Sequence, residues 1–372
     1  MLAYIVRRLL FIVPTLLGIM VVNFAVIQFA PGGPVEQIIA KLQGTAVGAT
    51  ARIGGGSGGG EIGAGGAPQN AGGGGAAAGR YRGAEGLDPA FIAKLNKMYG
   101  FDKPAPVRFL IMMRNYLRFD FGTSYFRDTK VIDLIVEKMP VSISLGLWST
   151  LIIYLISIPL GIRKAVRDGS AFDIWTSVLV IIGYAVPGFL FAVALVVLFA
   201  GGSFLHWFPL RGIVSEGWAG LDWSHKLLDY FWHMALPVAA LVIGGFANLT
   251  QLTKNSFLDE VNKLYVVTAR AKGLTERRVL YGHVFRNAML IVIAGIPGAF
   301  IGILFTGALL IEVIFSLDGM GLLGFQAAIT RDYPVIFGTL YIFTLIGLLT
   351  NLIGDLTYVL VDPRIDFASR EV

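Results

Sequence analysis

The hydropathy pattern of this chain is dominated by long apolar stretches that contain no charged residue. Six of them reach, or nearly reach, the length of about 20 apolar residues that a membrane-spanning helix needs. These stretches are Leu9–Ala30, Val141–Ile162, Ile174–Ala200, Met234–Leu252, Ala288–Ile311 and Val335–Gly354. The pattern therefore predicts an all-α integral membrane protein with six transmembrane helices.

Lysine and arginine are distributed unevenly among the short segments that connect these stretches. Segments 163–173 and 253–287 are rich in basic residues, whereas segments 201–233 and 312–334 contain few. Short loops with an excess of basic residues stay on the cytoplasmic side of a membrane. The first two segments are therefore expected in the cytoplasm, and six spans then place both chain termini there as well.

The spans and their connections define the expected organisation of the chain. The boundaries are 1–30 for an N-terminal anchor span, 31–140 for a large helical outer loop, 141–361 for a core with its cytoplasmic loop 253–287, and 362–372 for a cytoplasmic tail. Residues 44–79 are mostly glycine and alanine, and such a segment cannot bury enough apolar surface to offset its ordering entropy. We expect this insertion to be disordered, and we expect helices at 106–119 and 130–138.

The cytoplasmic loop 253–287 has the pattern of a helix, a glycine turn and a second helix. The residues that helical spacing places on one face of the first helix are Phe257, Val261, Leu264, Tyr265 and Thr268. Gly273 is expected to end that helix. Thr275 and Glu276 are expected to start the next helix, which continues into the fifth span. This pattern alone leaves open whether the loop lies on lipid headgroups or binds another protein.

Composition narrows the candidate chemistry. The chain has 55% hydrophobic and 15% charged residues, a formal net charge of +6 and no cysteine. The lack of cysteine excludes disulfides and thiol-based metal or catalytic sites, and the four histidines have no metal-ligand spacing. The sequence contains no Gly-Lys dipeptide and hence no phosphate-binding P-loop. Membrane orientation accounts for the basic residues, so no nucleic-acid partner is expected.

The loop 253–287 also contains a recognisable motif. The residues that form it are Thr268-Ala269-Arg270-Ala271-Lys272-Gly273, His283, Arg286-Asn287-Ala288 and Ile296-Pro297. They resemble the EAA loop of ABC importer permeases, with Thr268 at the position where that motif usually has glutamate. Further motifs that resemble dipeptide and oligopeptide permeases are Tyr4–Leu10, Ala30–Pro34, Tyr99–Pro104, Asp120–Ser124, Glu312–Phe315, Gly319–Gly321, Arg331–Pro334 and Asp362–Arg364. Within that family, Arg163–Val166 and Leu252–Val261 are most similar to the first permease subunit of the microcin C and broad-peptide importer branch.

This resemblance implies a type I ABC importer permease fold and a transport subunit, not an enzyme, in the bacterial inner membrane. The implied partners are a second homologous permease in a heterodimer, two ABC ATPase subunits, and a periplasmic substrate-binding protein that delivers oligopeptides or peptide-like compounds. ATP and Mg²⁺ are expected on the ATPases, and no cofactor is expected in this chain.

The resemblance also assigns candidate residues for coupling to the ATPases. They are Thr268, Ala269, Arg270, Ala271, Lys272, Gly273 and Glu276. Ala269 and Ala271 are expected to allow close approach of the ATPase. Arg270 and Lys272 are expected to pair with its acidic groups.

Polar residues in or beside the spans are candidates for the transport pathway or its gate, although interhelical hydrogen bonds are an equally ordinary use for those in the spans and satisfaction of a helix end is the alternative for Glu312. These candidates are Asn248, Gln251, Thr306 and Glu312. Proline and glycine mark expected bends in the spans, with Pro187 and Gly188 as one such site.

Two other classes of protein are weaker alternatives. An ion-coupled secondary transporter usually shows internal repeats and acidic residues at the centre of a span, and neither occurs here. A membrane-embedded enzyme needs a nucleophile, a metal site or paired carboxylates, and the sequence shows none of these arrangements.

Overall fold

The structure is a computed structural model of the chain. It describes residues 2–29, 35, 97, 101–201, 204–302 and 309–361. The predicted insertion 44–79, Thr306, the tail 362–372 and the motif Ala30–Pro34 lie outside the described residues. The described part is mainly helical and contains only isolated β-bridges, such as Thr123 with Lys130, in place of strands. The prediction of an all-α protein is confirmed.

The helices are numbered here in chain order over the described residues. They are α1 (Leu2–Phe29), α2 (Ala105–Tyr116), α3 (Val131–Val166), α4 (Ala171–Ala185), α5 (Gly188–Phe199), α6 (Trp223–Val261), α7 (Leu264–Ala271), α8 (Glu276–Val279), α9 (Phe285–Ala288), α10 (Leu290–Ala294), α11 (Ile296–Gly302), α12 (Leu309–Ile314), α13 (Met320–Thr330) and α14 (Tyr333–Val361). A π-helix (Leu280–Val284) joins α8 to α9, and a short 3₁₀-helix (Trp218–Gly220) precedes α6.

Four helices of the described part are long and apolar enough to cross a membrane. They are Tyr4–Phe29 within α1, the whole of α3, the whole of α6, and Tyr333–Thr357 within α14. Two bent helix pairs raise the number to six if each pair forms one span. These pairs are α4 with α5, and Glu276–Ala288 with Leu290–Ala299. Both pairs overlap predicted spans, so the structure is compatible with the six spans that the sequence predicts.

The third apolar stretch is not one straight helix, contrary to the simplest prediction from its length. Helices α4 and α5 meet at an angle of 90°. The break lies at Val186, whose φ of −81° and ψ of 118° are extended. Pro187 explains the break, because a proline disfavours helical geometry in the preceding residue and has no backbone N–H to donate. The bend that the sequence predicts at Pro187 is therefore present.

The predicted helix at 130–138 is present, but it is not separate from the second span. These residues form the first turns of α3, which continues without interruption through Pro140 to Val166. Proline is tolerated inside membrane helices because neighbouring groups can satisfy the backbone carbonyl that it leaves free. At 36 residues α3 is about 54 Å long, and α6 with 39 residues is about 58 Å long. Both exceed the hydrocarbon core of about 30 Å and therefore project beyond it.

The described residues divide into two units. The first unit lies within residues 1–12, 137–323 and 343–372 and contains two apolar clusters. One cluster joins α3, α5, α6 and α12 around buried residues such as Leu145, Ala192 and Phe315. The other joins α3, α6, α7 and the segment from α8 to α10 around Phe257 and Val266. The second cluster therefore connects the predicted cytoplasmic loop to the spans.

The second unit lies within residues 13–136 and 324–342. Its core is aromatic, since the Tyr116 ring meets the rings of Phe121 and Tyr341 edge to face at 4.8 and 5.5 Å. The carboxylate of Asp332 accepts hydrogen bonds from the Ser124 hydroxyl and from the backbone N–H of Tyr125, the latter at 3.1 Å. These bonds fix the turn before α3 to the turn before α14.

Candidate functional site

The predicted loop begins with a break between α6 and α7. Helix α6 ends at Val261, and Lys263 is extended with a ψ of 151° before α7 starts. The prediction of one continuous amphipathic helix through Thr268 is therefore wrong. Phe257 and Val266 are both fully buried in the same cluster. They are nine residues apart in sequence, which would place them on opposite faces of a continuous helix. The break allows both to enter one core.

Glu260 stabilises this break from both sides. Its carboxylate accepts a hydrogen bond from the Tyr265 hydroxyl at 2.7 Å and forms an ion pair with the ammonium group of Lys263. Burial and the bond to Glu260 raise the pKa of the Tyr265 hydroxyl above its ordinary value. The tyrosine is therefore a neutral donor, and the start of α7 is tied to the end of α6.

The turn after α7 has the geometry of a Schellman motif. Gly273 has a φ of +77°, its N–H donates to the Arg270 carbonyl at 2.9 Å, and the Leu274 N–H donates to the Ala269 carbonyl at 3.4 Å. This pair of bonds satisfies helix carbonyls that would otherwise lack donors. Thr275 then occupies the N-cap position of α8 with extended backbone, although its hydroxyl makes no capping bond. The helix–turn–helix prediction therefore holds from α7 onward.

Helix α7 presents two different faces. Val266 and Ala269 are buried against the chain's own apolar cluster. Leu264 is 85% exposed and Val267 is 53% exposed, and Ala271 completes the outer face. These three residues follow the spacing i, i+3 and i+7, so they form one exposed apolar stripe. We call Leu264, Val267 and Ala271 the α7 stripe.

The predicted coupling residues do not all share this outer face. Ala269 is buried against the chain's own core, whereas Ala271 is exposed at the outer surface. The Arg270 guanidinium donates to both carboxylate oxygens of Glu276 at 2.9 and 3.1 Å. It is therefore already paired within the chain and clamps α7 to α8, in contrast to the expected pairing with a partner. Lys272 is exposed at the tip.

Thr268, the first residue of the predicted motif, is also exposed. Its hydroxyl donates to the Leu264 carbonyl at 3.0 Å, which is a local bond within α7. Such a bond leaves the methyl group and both oxygen lone pairs available at the surface. Thr268 therefore borders the α7 stripe.

The part of α6 just before this loop packs closely against α3. A Cβ atom at Gly161 of α3 would lie 2.6 Å from the Thr253 Cβ and 2.9 Å from the Thr250 carbonyl oxygen. Real side chains do not approach so closely, so only glycine permits α3 and α6 to meet here. Thr250 and Thr253 are completely buried. The two helices are therefore locked together just before the loop begins.

Four charged residues reinforce the same end of the molecule. The buried Lys164 ammonium lies 3.0 Å from one Asp173 oxygen, and Lys254 lies 2.7 Å from the other. Lys254 also pairs with Asp168 at 2.8 Å. The Lys164 ammonium donates in addition to the hydroxyls of two α4 residues. This cluster joins the end of α3, the start of α4 and the shaft of α6.

A polar stripe follows one face of α6. Asn248, Gln251 and Asn255 are exposed, and the Gln251 amide donates to the Asn255 side-chain oxygen at 3.0 Å. The opposite face is buried, as Leu249 and Thr253 show. Exposed polar side chains within a span face a bundle interior or a water-filled cavity far more often than lipid. The predicted pathway residues Asn248 and Gln251 are thus brought together on one surface.

Glu312, another predicted pathway residue, is completely buried. Its carboxylate accepts hydrogen bonds from the Ser142 hydroxyl at 3.2 Å and from the Leu322 N–H at 2.6 Å. The Met320 N–H donates in turn to the Ser142 hydroxyl at 2.9 Å. A carboxylate at the N-terminus of α13 satisfies free N–H groups and complements the helix dipole. Its position shows a role in holding the start of α13.

Sequence reasoning missed several of these features. The sequence gives no sign that Lys164 and Lys254 pair with a common carboxylate, because it does not show that Asp173 lies between them. The sequence pattern does not reveal the α7 stripe, because it places Leu264 on the same helix face as Phe257 and Val261. The exposure of Leu264 follows from the break after Val261, for which the sequence offers no proline or glycine as a signal. Among the described residues no cluster of histidine, aspartate and glutamate suits a metal ion.

Comparison with known proteins identifies a family and several relatives to which this chain is similar. Residues 157–367 match the family described as binding-protein-dependent transport system inner membrane component. The peptidoglycan transport system permease protein YejB of Agrobacterium fabrum is 61% identical, with 100% of both chains covered. The inner membrane ABC transporter permease protein YejB of Escherichia coli O157:H7 is 59% identical over 99% of this chain and 100% of that protein.

A more distant relative is the oligopeptide transport system permease protein AppB of Bacillus subtilis, which is 33% identical over 99% of this chain and all of that protein. Among solved structures, an inward-facing MetNI methionine ABC transporter chain has a TM-score of 0.45 and 15% identity, with 62% of this chain and 97% of that chain covered. The family match covers more than half of the chain and full-length relatives exceed 30% identity. This chain therefore belongs to the family of inner-membrane components of binding-protein-dependent transport systems.

Proposed function

We propose that this chain is a permease subunit of an ATP-driven importer of oligopeptides or peptide-like compounds, with α7 and its turn as the surface that binds an ATPase. Family membership makes the chain an ABC transport permease of the inner membrane, without enzymatic activity of its own, and removes the ion-coupled secondary transporter as an alternative. The peptide substrate is proposed because relatives bear the names of oligopeptide and peptidoglycan transport systems.

The α7 stripe is the observation that supports the docking surface. Leu264 is 85% exposed at the end of a long span, while Val266 on the other side of α7 is fully buried. An exposed apolar surface that is rigidly held marks an interaction site, and an amphipathic helix that inserts into a groove is a common way for one protein to bind another. The Schellman turn and the Arg270–Glu276 pair give this helix a fixed orientation.

The packing behind α7 supports its use as a lever. The contact of Gly161 with Thr253 and the cluster around Asp173 connect the loop to α3, α4 and α6. Movement of a bound ATPase would therefore move these helices together as a rigid body. Rigid-body rotation of helices is an established way to alternate access between two sides of a membrane.

The proposed assembly contains further subunits. A second homologous permease forms a heterodimer with this chain, two ATPases bind ATP and Mg²⁺ below the pair, and a periplasmic binding protein delivers the peptide. Both termini of this chain lie in the cytoplasm. The polar stripe of Asn248, Gln251 and Asn255 is proposed to face the transport pathway in that heterodimer, since lipid would disfavour it.

A membrane-surface helix is the competing use of α7, because exposed leucine and valine also insert among lipid headgroups. The helix has only eight residues, and its exposed apolar part is limited to the α7 stripe. Membrane binding by an interfacial helix scales with the apolar area that it buries. A groove on a protein suits so small a stripe better.

Leu264→Glu is the substitution that tests the docking surface. Leu264 contributes little to the chain's own core, so the variant is expected to fold and insert normally. We expect loss of the ATPases during purification in mild detergent and loss of peptide uptake. Leu117→Glu is the matched control, because Leu117 is 71% exposed after α2 on the proposed outer side. Retention of the ATPases by Leu264→Glu at wild-type levels would favour the lipid-surface helix and reject the docking surface.

A further inference from the structure

A cavity of about 240 Å³ lies within the unit formed by residues 13–136 and 324–342. It is bounded by the end of α1, by α2 and by the start of α14. Seven of its sixteen described lining residues are aromatic, among them Phe24, Phe101 and Phe337. Ligand pockets generally range upward from about 300 Å³. This cavity is smaller, so it suits a group about the size of one amino acid residue and not an extended chain.

Arg108 of α2 supplies the main polar group in this cavity. Its guanidinium lies over the Phe101 ring at 4.8 Å from the ring centre and donates through Nη2 to the Gln28 side-chain oxygen at 2.6 Å. The Nε–H group is buried and has no hydrogen-bond acceptor among the described residues. A buried donor without an acceptor is unfavourable. A ligand that offers an acceptor to this group would relieve that cost.

The charges around the cavity favour an anion. Lys103 and Arg108 contribute positive charge and Asp120 contributes one negative charge, which leaves an excess of one positive charge. A guanidinium has a planar array of donors that matches the two oxygens of a carboxylate. The Phe101 ring holds that guanidinium by a cation–π contact, so part of its orientation is set before a ligand arrives.

We propose that this cavity binds the carboxyl-terminal residue of a peptide-like ligand, with Arg108 bound to the carboxylate and the aromatic walls around an apolar side chain. The proposal relies on the proposed function for the origin of the ligand. The end of α1 and the start of α14 lie on the proposed outer side of the membrane. The cavity is therefore on the side of the membrane from which a peptide would arrive.

Binding is measured with a small pair of matched compounds. N-acetyl-L-phenylalanine has both the carboxylate and an aromatic side chain, whereas N-acetyl-L-phenylalaninamide has a neutral amide in place of the carboxylate and keeps the side chain. The transporter is co-expressed with its partner subunits and purified in nanodiscs of neutral lipid, without the binding protein. Titration by calorimetry, with saturation-transfer NMR as a second readout, is expected to show binding of the acid only. Equal binding of the amide would overturn the carboxylate assignment without any mutation.

Variants then locate the site. Arg108→Gln should weaken binding of the acid by more than about tenfold, as expected for a hydrogen bond to a charged group. Arg114→Gln on the same helix is the matched control, because Arg114 is exposed and does not line the cavity. Undiminished binding by Arg108→Gln, when thermal unfolding shows an intact protein, would overturn the proposal.

Two further measurements distinguish the proposed peptide site from an anionic lipid site, and distinguish failure of this proposal from failure of the proposed function. If vesicles of phosphatidylglycerol bind in an Arg108-dependent way and the acid does not bind, the cavity is an anionic lipid site and the proposal is rejected. Peptide uptake by cells is measured separately. Peptide uptake without binding of the acid would reject the cavity as a ligand site and leave the proposed function intact. Binding of the acid by a transporter that imports no peptide would support the cavity and overturn the proposed function.

Discussion

Replacement of Gly273 tests whether the turn between α7 and α8 must keep its left-handed conformation. The φ of Gly273 is +77°, and a Cβ atom built there meets nothing within 4 Å. A side chain therefore causes no clash, and its cost comes from the backbone alone. For an L-residue that cost is about 1–2 kcal/mol, with asparagine and aspartate the most tolerant types. The population of the native turn should accordingly fall by a factor of about 5 to 30.

The conformational argument predicts an order among four variants. Gly273→Val should reduce ATPase retention and peptide uptake most, and Gly273→Ala should reduce them less. Gly273→Asn should be closest to the wild type in both. Gly273→Asp has nearly the same shape as the asparagine variant and differs by one negative charge. If Gly273→Asp retains less ATPase and imports less peptide than Gly273→Asn, the added negative charge must weaken an electrostatic contact between the turn and the ATPase.

The assay compares retention of the ATPases, peptide uptake, and hydrogen exchange of the amides in 266–275. Faster exchange at Leu274 is expected in the alanine and valine variants, because the Leu274 N–H donates to Ala269 only when the turn is intact. Equal uptake and equal exchange in Gly273→Val and the wild type would refute the reasoning. So would an asparagine variant that is more impaired than the alanine variant, since that order would indicate contact and not conformation.

The remaining predictions concern the helices behind the loop. Gly161→Val should separate α3 from α6, because its Cβ would lie 2.9 Å from a backbone oxygen that cannot rotate away. We expect a lower midpoint of thermal unfolding for this variant. Gly347→Val, where a Cβ meets nothing within 4 Å, is the control and should be tolerated. Lys164→Met should destabilise the protein by about 1–3 kcal/mol, because it removes a buried ammonium that pairs with Asp173 and donates to two α4 hydroxyls while Lys254 still pairs with Asp173, and an unchanged denaturation midpoint would contradict this. Asn248→Leu and Gln251→Leu should reduce peptide uptake while the ATPases stay bound, and full uptake in both would exclude the polar stripe from the pathway.

Local signals in the sequence predicted several elements correctly. Apolar length predicted helices that can cross a membrane, because about 20 apolar residues are the physical requirement for crossing a bilayer. The bend at Pro187 and the left-handed turn at Gly273 were also predicted. Each depends on the covalent geometry of one residue, which is the same wherever that residue stands.

Other features depend on contacts between residues far apart in sequence. The break after Val261 exists because Phe257 and Val266 must enter the same core, and neither residue alone indicates it. That break turns Leu264 away from the face that it would share with Phe257 in a continuous helix, which is why the sequence pattern does not reveal the α7 stripe.

The sequence by itself determined that this chain is a helical membrane protein with a helix–turn–helix segment and the motifs of its transport family. Only the tertiary structure decided which side of α7 is exposed, that Arg270 is paired with Glu276, and that Asp173 joins two lysines. The physical reason is that hydropathy and turn propensity act over a few neighbouring residues. Exposure and ion pairing, in contrast, depend on which surfaces the packed helices leave uncovered.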